Sequence, residues 1–258
     1  MLSAVTLSHP GVVRPDNEDV VLWDPALGLV AVADGMGGHN AGEVAAQVAM
    51  DSLQRSLRSN ADPRHLDWPF GFDEQAARPV NRLVNAVRIA NREVFQMSQE
   101  RIELTGMGTT LTAALIDEDR VWFAHAGDSR LYLKPTGESK LRQLTHDDSL
   151  VGKLAALPGV QPLALVNHPM RHLLTNVLGP REELSVETGE LTLANGELLL
   201  ATSDGMHGAV GDEVMEAILD GHERRVDLQV AANHLLDAAI GAGGRDNISL
   251  AIVRYTRG

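Results

Sequence analysis

The sequence predicts an α+β fold: a four-layer α-β-β-α sandwich of two packed antiparallel β-sheets flanked by helices, formed as one domain over residues 1–258. Three observations carry this. Strand-like runs fall on both sides of a pair of long helical segments, the middle runs follow one another too closely for parallel crossovers, and no repeat, low-complexity stretch or linker divides the chain.

The elements follow in order. "AVTL", "DVVLW" and "LGLVAVAD" are apolar or alternating runs separated by the turn-rich "PGVVRPDNED" and "DPALG", which predicts neighbouring antiparallel strands. From about Ala41 to Leu57, the residues Val44, Ala45, Val48, Leu53 and Leu57 approximate helical spacing. A second helix is expected from about Pro79 to Arg101, with Leu83, Val84, Val87, Ala90, Val94 and Met97 on its stripe and Pro79 in its first turn. Between them "NADPRHLDWPFGFDEQ" reads as a loop tucked onto the surface by its three aromatics. After Gly106, "TTLTAALID", "RVWFAHAG" and "RLYLKP" have the texture of an antiparallel meander. Helices are expected in "DDSLVGKLAAL" and "PMRHLLTNVLG", then a buried strand in "ELLLATSD". Two more helices, "GDEVMEAILD" and "RVDLQVAANHLLDAAIGAG", precede a closing strand, "NISLAIVRY".

Composition narrows the function. At 44% hydrophobic and 22% charged residues, the chain can bury a sizeable core. It contains no cysteine, which excludes disulfides, Cys-ligated zinc and thiolate nucleophiles. The formal net charge of -13 argues against nucleic acid or an anionic membrane as a partner. No apolar run reaches the ~20 residues needed to span a bilayer, and the first residues lack a secretory pattern, so a monomer in the cytoplasm is expected.

Aspartate recurs at the edge of an apolar strand beside glycine or in a glycine-rich turn. "VAVADG" gives Asp34, "LLLATSDG" gives Asp204 and "GAGGRDNISLAIV" gives Asp246. Asp-Gly is a common turn pair, so each alone has an ordinary explanation; three in one setting suggest a shared rim. Carboxylates about 4 Å apart repel by about 4 kcal/mol at an effective dielectric near ~20, so such a cluster holds either protons or cations. Hard oxygen ligands without cysteine suit Mg²⁺ or Mn²⁺. Glycine beside the aspartate permits close backbone approach and frees a carbonyl. In "GVVRPDNEDV", Arg14 offers a fork for phosphate oxygens, and Glu18 and Asp19 offer carboxylates to orient bound water.

The ordered blocks "GVVRPDNEDV", "VADGMGGHNAGEVAA", "GMGTTLTAALI", "AHAGDSRLYL", "LTHDDSLV", "NHPMRHLLTNVLG", "ATSDGM" and "GGRDNISLAIV" resemble the bacterial branch of the PP2C (PPM) family of metal-dependent serine/threonine protein phosphatases. The resemblance covers nearly the whole chain. It implies that Asp34 bridges two Mn²⁺ or Mg²⁺ ions, with the Gly35 carbonyl on one and Asp204 and Asp246 on the other, and that a hydroxide held between them attacks phosphorus in line without a phosphoenzyme. It further implies that Arg14 holds the substrate phosphate, Glu18 and Asp19 fix metal-bound waters, and Asp128 with Asp204 holds a third, weaker ion. His39 is the nearest candidate for the general acid, although "MGG" separates it from the Asp-Gly pair that it directly follows in eukaryotic relatives. His146 matches a family position. Residues from about 145 to 178 correspond to a flap beside the site, where "LPGVQPLALV" replaces an acidic helical stretch. The implied partners are phosphorylated proteins and a cognate serine/threonine kinase.

Three other readings compete. A phosphate loop in "GMGGHNAG" would need glycine where Asn40 stands, and the Lys-Ser/Thr of a P-loop is absent. An aspartyl nucleophile in "LIDEDRV" would need a parallel strand before Asp117 and Asp119, but a hairpin follows at once. A catalytically silent phosphoprotein-binding module would be expected to lose Asp34, Asp204 or Asp246.

Overall fold

A computed structural model describes residues 1–38, 41–59, 68–155, 169–170, 173–220 and 227–257. Eleven strands lie among them. One sheet has the order β1 (Leu2–His9), β11 (Ile248–Tyr255), β10 (Leu198–Thr202), β7 (Arg130–Lys134), β8 (Arg142–Gln143). The second runs β2 (Asp19–Asp24), β3 (Leu29–Met36), β5 (Leu111–Asp117), β6 (Arg120–Ala126), β9 (Glu187–Thr192), with the short β4 (Gly108–Thr109) on the end of β3. All the pairings are antiparallel.

Side-chain alternation turns two sheets into four layers, because successive residues of a strand face opposite sides. On β3, Val30 and Val32 face the other sheet, while Leu29, Ala31 and Ala33 face α1 (Ala41–Ser59) and α2 (Arg78–Glu100). On β11, Ala251 and Val253 enter the same central core, while Leu250 and Ile252 pack towards α4 (Asp204–Asp220) and α5 (Leu228–Gly241). Three apolar layers therefore separate the sheets from each other and from their helices. Ala45, Ala46 and Ala49 let α1 sit close on β3.

Several expected neighbours are rearranged. β2 and β3 pair as a hairpin, but β1 pairs with β11 in the other sheet. β5 and β6 form the expected hairpin, with Asp117 opposite Arg120 and Glu118 at positive φ, so Asp117 and Asp119 lie at an ordinary turn. β7 does not extend that meander. At Gly127–Ser129 the chain crosses to the first sheet, where Leu131 and Leu133 reach the central core and Tyr132 the outer one. Of the helix expected at 147–157, α3 (Leu150–Ala155) is present, residues 147–149 are not helical, and 156–157 lie outside the described residues. The helix expected at 169–179 is absent from its described residues, which form bridges from Leu174 to Ser149 and from Leu178 to Thr109. Anchoring to two other segments has overridden helical spacing there. Of the aromatic loop, the described part folds back: the Trp68 and Phe72 rings lie 5.0 Å apart, and the Arg92 guanidinium stands 4.3 Å over Phe70.

Candidate active site

The topology brings distant chain segments to one rim of the sandwich. β3 presents Asp34 there, two residues before its end, β10 leads into Asp204 at the first position of α4, and Asp246 immediately precedes Asn247 and β11. The crossover from β6 to β7 adds Asp128. Asp34, Asp128, Asp204 and Asp246 all line a single cleft of about 670 Å³, together with Gly35, Glu18 and Arg14. Asp19 is buried, does not line the cleft, and lies opposite Asp34 in the β2–β3 register.

This convergence is electrostatically costly. Burial, and then the charges of Asp19, Asp204, Asp128 and Asp246, push the Asp34 carboxyl well above the ordinary carboxylate range. Burial raises Asp19 to about 7, against a hydrogen bond from the Ser203 hydroxyl, with Asp204 and Asp246 adding to the rise. Asp128 is likewise lifted to about 7 by burial, with Asp204 and Asp147 adding to it and Arg130 opposing it. Glu18 is raised by burial and partly restored by Arg14. The Arg14 guanidinium donates to Asp246 Oδ2 at 2.9 Å, and this bond raises the arginine further.

Do these residues fit divalent ions? Their donors are hard oxygens only, which suits Mg²⁺ or Mn²⁺. Asp19 Oδ1 is buried without a hydrogen-bond partner among the described residues, one carboxylate oxygen left over beside Asp34 in the β2–β3 register. Against this, no three acidic or histidine side chains among the described residues converge closely enough to cage an ion. Arg14 also holds one oxygen of Asp246. That pair is half exposed on both sides, and such pairs contribute only about 0–1 kcal/mol, so it opens readily. In the chemistry of its donors, hard oxygens around one cleft, the set fits divalent cations.

The glycine beside Asp34 has a definite structural role. A β-carbon at Gly35 would stand 2.1 Å from the Gly42 carbonyl oxygen and 2.6 Å from that of Glu18. The Gly35 N–H in turn donates to the Glu18 carbonyl at 3.1 Å. Its missing side chain thus admits the first turn of α1 and the Glu18 backbone, which seats Glu18 over the cleft.

Several supporting residues carry no sequence signal of their own. Asn247 is buried; its amide donates to the carbonyls of Pro10 and Asp16, and its Oδ1 accepts from the Glu18 N–H, which ties the Arg14–Glu18 loop to the base of β11. The Thr110 hydroxyl accepts from the Asp34 N–H, at 2.9 Å, and meets Ser129 beside Asp128. Asp148 accepts from the Gly127 N–H and from Asn176, joining the 173–177 wall of the cleft to the Asp128 turn.

The histidines divide. His39 lies outside the described residues, as do residues 156–168 and 171–172 of the expected flap. His146 is exposed and its Nδ1 meets Glu187 at 2.6 Å, which raises its pKa. It is not among the residues lining the cleft. His207 is buried against Thr202, 3.1 Å away, and burial together with Arg130 lowers it to about 3.

The model of the family described as protein phosphatase 2C matches residues 8–237. The serine/threonine protein phosphatase PstP of Mycobacterium tuberculosis is 35% identical over 246 residues, which are 95% of this chain and 43% of that protein. The chain thus spans less than half of that relative. The serine/threonine phosphatase stp of Listeria monocytogenes is 34% identical over 94% of this chain and 92% of its own length. The crystal structure of the PstP catalytic domain in complex with two manganese ions superposes with a TM-score of 0.82 at 31% identity, covering 99% of each chain. A rim of strand-end aspartates, held on two antiparallel sheets between helices, is thus accompanied by likeness along almost the full sequence, and the chain belongs to the protein phosphatase 2C family.

Proposed function

We propose that this chain is a metal-dependent protein serine/threonine phosphatase, hydrolysing phosphoserine and phosphothreonine with water and without a phosphoenzyme. The observation that carries the reading is the gathering of Asp34, Asp128, Asp204 and Asp246 into one cleft beside an arginine that a phosphate can capture. Asp34, the Gly35 carbonyl, Asp204 and Asp246 would hold two divalent ions, and Asp128 with Asp204 a third. When bound, Mn²⁺ or Mg²⁺ supplies Lewis acidity that generates hydroxide near neutral pH and offsets phosphoryl charge.

The chain's own groups do the positioning. Arg14 leaves Asp246 and donates to the phosphate oxygens, a stronger charge-assisted contact than its exposed ion pair. The same movement frees Asp246 to face a cation. Asn247 fixes the loop on which Arg14 and Glu18 sit. Glu18 and Asp19 would accept hydrogen bonds from water around bound ions, and the Ser203 hydroxyl donates to Asp19 Oδ2. The opposing reaction is carried out by a serine/threonine kinase, and the substrates are its phosphorylated protein products.

The test is release of phosphate from a phosphothreonine peptide with added Mn²⁺, with EDTA, and by Asp204→Asn. Turnover should require the metal and vanish in the variant. Equal turnover in the chelated sample would reject the proposal.

A further inference from the structure

We infer that Arg181 forms a substrate subsite that recognises an acidic side chain flanking the phosphorylated residue; this rests on the phosphatase reading above. Among the described residues lining the cleft, six are carboxylates and two are cations, Arg14 and Arg181. Arg14 is engaged by Asp246. The Arg181 guanidinium makes no hydrogen bond or ion pair to any described residue, and Glu183, on the same wall, is not paired with it.

The backbone beneath Arg181 is held firmly. Buried Asn91 of α2 donates to the carbonyls of Arg181 and Glu182, at 3.1 and 2.8 Å, and accepts from the Gly179 N–H at 2.9 Å. Gly179 adopts φ +105°, and Pro180 packs on Gly108, where a β-carbon would lie 3.0 Å from the proline ring. A fixed base bearing an uncommitted guanidinium reduces the ordering cost of binding, because only the side chain remains to be oriented. Leu174, Val177 and Pro180 share this wall with Thr175, Asn176 and Glu183, so a peptide lying there meets both apolar and polar groups. Among the described residues lining a cleft rich in carboxylates, Arg181 is the cation that offers a peptide carboxylate a favourable place away from the phosphate.

The experiment compares phosphothreonine peptides that carry aspartate, alanine or lysine at each flanking position in turn, with kcat/KM as the readout for the wild-type chain, Arg181→Ala and Arg181→Glu, all with Mn²⁺. The wild type should favour the best aspartate peptide over its lysine counterpart by about 10-fold at low ionic strength, and the preference should shrink in high salt. The ratio should fall to near unity in Arg181→Ala and invert in Arg181→Glu. A wild type indifferent to flanking charge, or an aspartate preference retained in Arg181→Ala, would overturn the inference. The wild type is also assayed on a small aryl phosphate, which has no flanking residues. Metal-dependent turnover there with indifferent peptides sinks the subsite alone; no turnover on any substrate sinks the phosphatase reading and the subsite with it.

Discussion

At the floor of the cleft stands Asp34, paired in the β2–β3 register with buried Asp19, and burial works against both charges. On its wall, Pro180 and Arg181 stand on a loop whose backbone polar groups are satisfied by one buried amide, Asn91. The floor is locally unfavourable and is held by the sheets around it; the wall is locally satisfied and is itself a source of stability. Strain of the first kind is expected where binding energy from a ligand will later relieve it, and satisfaction of the second kind where a surface must keep its shape.

The largest effect should come from breaking the floor. Asp34→Asn removes one charge from the crowd and one oxygen ligand, so metal-dependent turnover should fall on the order of 10³-fold or more, equivalent to about 4 kcal/mol or more of transition-state stabilisation. Metal-free stability should move the other way, by about 1 kcal/mol or roughly 2–4 °C in Tm, because a repulsive pair is lost. Calorimetry of the two proteins with EDTA and with Mn²⁺ checks both halves: the wild type should gain more from the metal. A variant less stable than the wild type in EDTA would remove the contrast between floor and wall.

The converse change is Asn91→Ala on the wall. It leaves the Gly179 N–H buried without a partner and strips two carbonyls of their donor, so about 3 kcal/mol of stability should be lost whether or not metal is present. Urea unfolding in EDTA and in Mn²⁺ should give the same decrement; a loss confined to one condition would tie this loop to the floor.

How much of this was legible in the sequence depends on the range of the interaction. The alternation of β3, β5 and β11 and the position of aspartate at strand ends are local signals, and they located the rim. Pairing is non-local: nothing in "AVTL" says that its partner is β11 at the other end of the chain rather than the adjacent β2. β9 escaped detection because "ETGELT" carries a glycine and a single large apolar residue, Leu191, too few for a strand pattern. The segment at 169–179 carries helical spacing, yet Asp148 accepts from Asn176 and its carbonyl from Thr175, and those contacts to a distant segment decide its form. Asn247, Ser203 and Asn91 act through hydrogen bonds to backbone or carboxylate far away in sequence, so their roles appear only once the fold is assembled.

Between floor and wall stands Arg14, half exposed and paired with Asp246. Arg14→Ala should raise KM for a phosphopeptide about 10-fold, the effect of losing one charge-assisted contact, while the metal-free Tm stays within about 1 °C because the exposed pair contributes little. Steady-state kinetics give the split between KM and kcat. An unchanged KM would assign Arg14 to Asp246 alone and leave the phosphate without its clamp.

The smallest effect lies behind the rim, at His207, three residues into α4 from the start of the helix at Asp204. Burial and the Arg130 charge lower its pKa to about 3, whereas in the unfolded chain it titrates near 6.5. The folded state therefore refuses a proton that the unfolded state accepts, so the neutral imidazole's contribution is complete above about pH 6.5 and is lost as pH falls from there towards 3. At pH 5 the loss should be about 2 kcal/mol. His207→Gln keeps a polar group for Thr202 and removes the titration, so it should be the less stable protein at neutral pH but lose less on acidification. The floor carboxylates titrate in the same range with the opposite sign, and subtracting one protein's pH profile from the other cancels them. Parallel profiles for the two proteins would mean that His207 gains its proton within the fold, and that the space behind Asp204 is open to water.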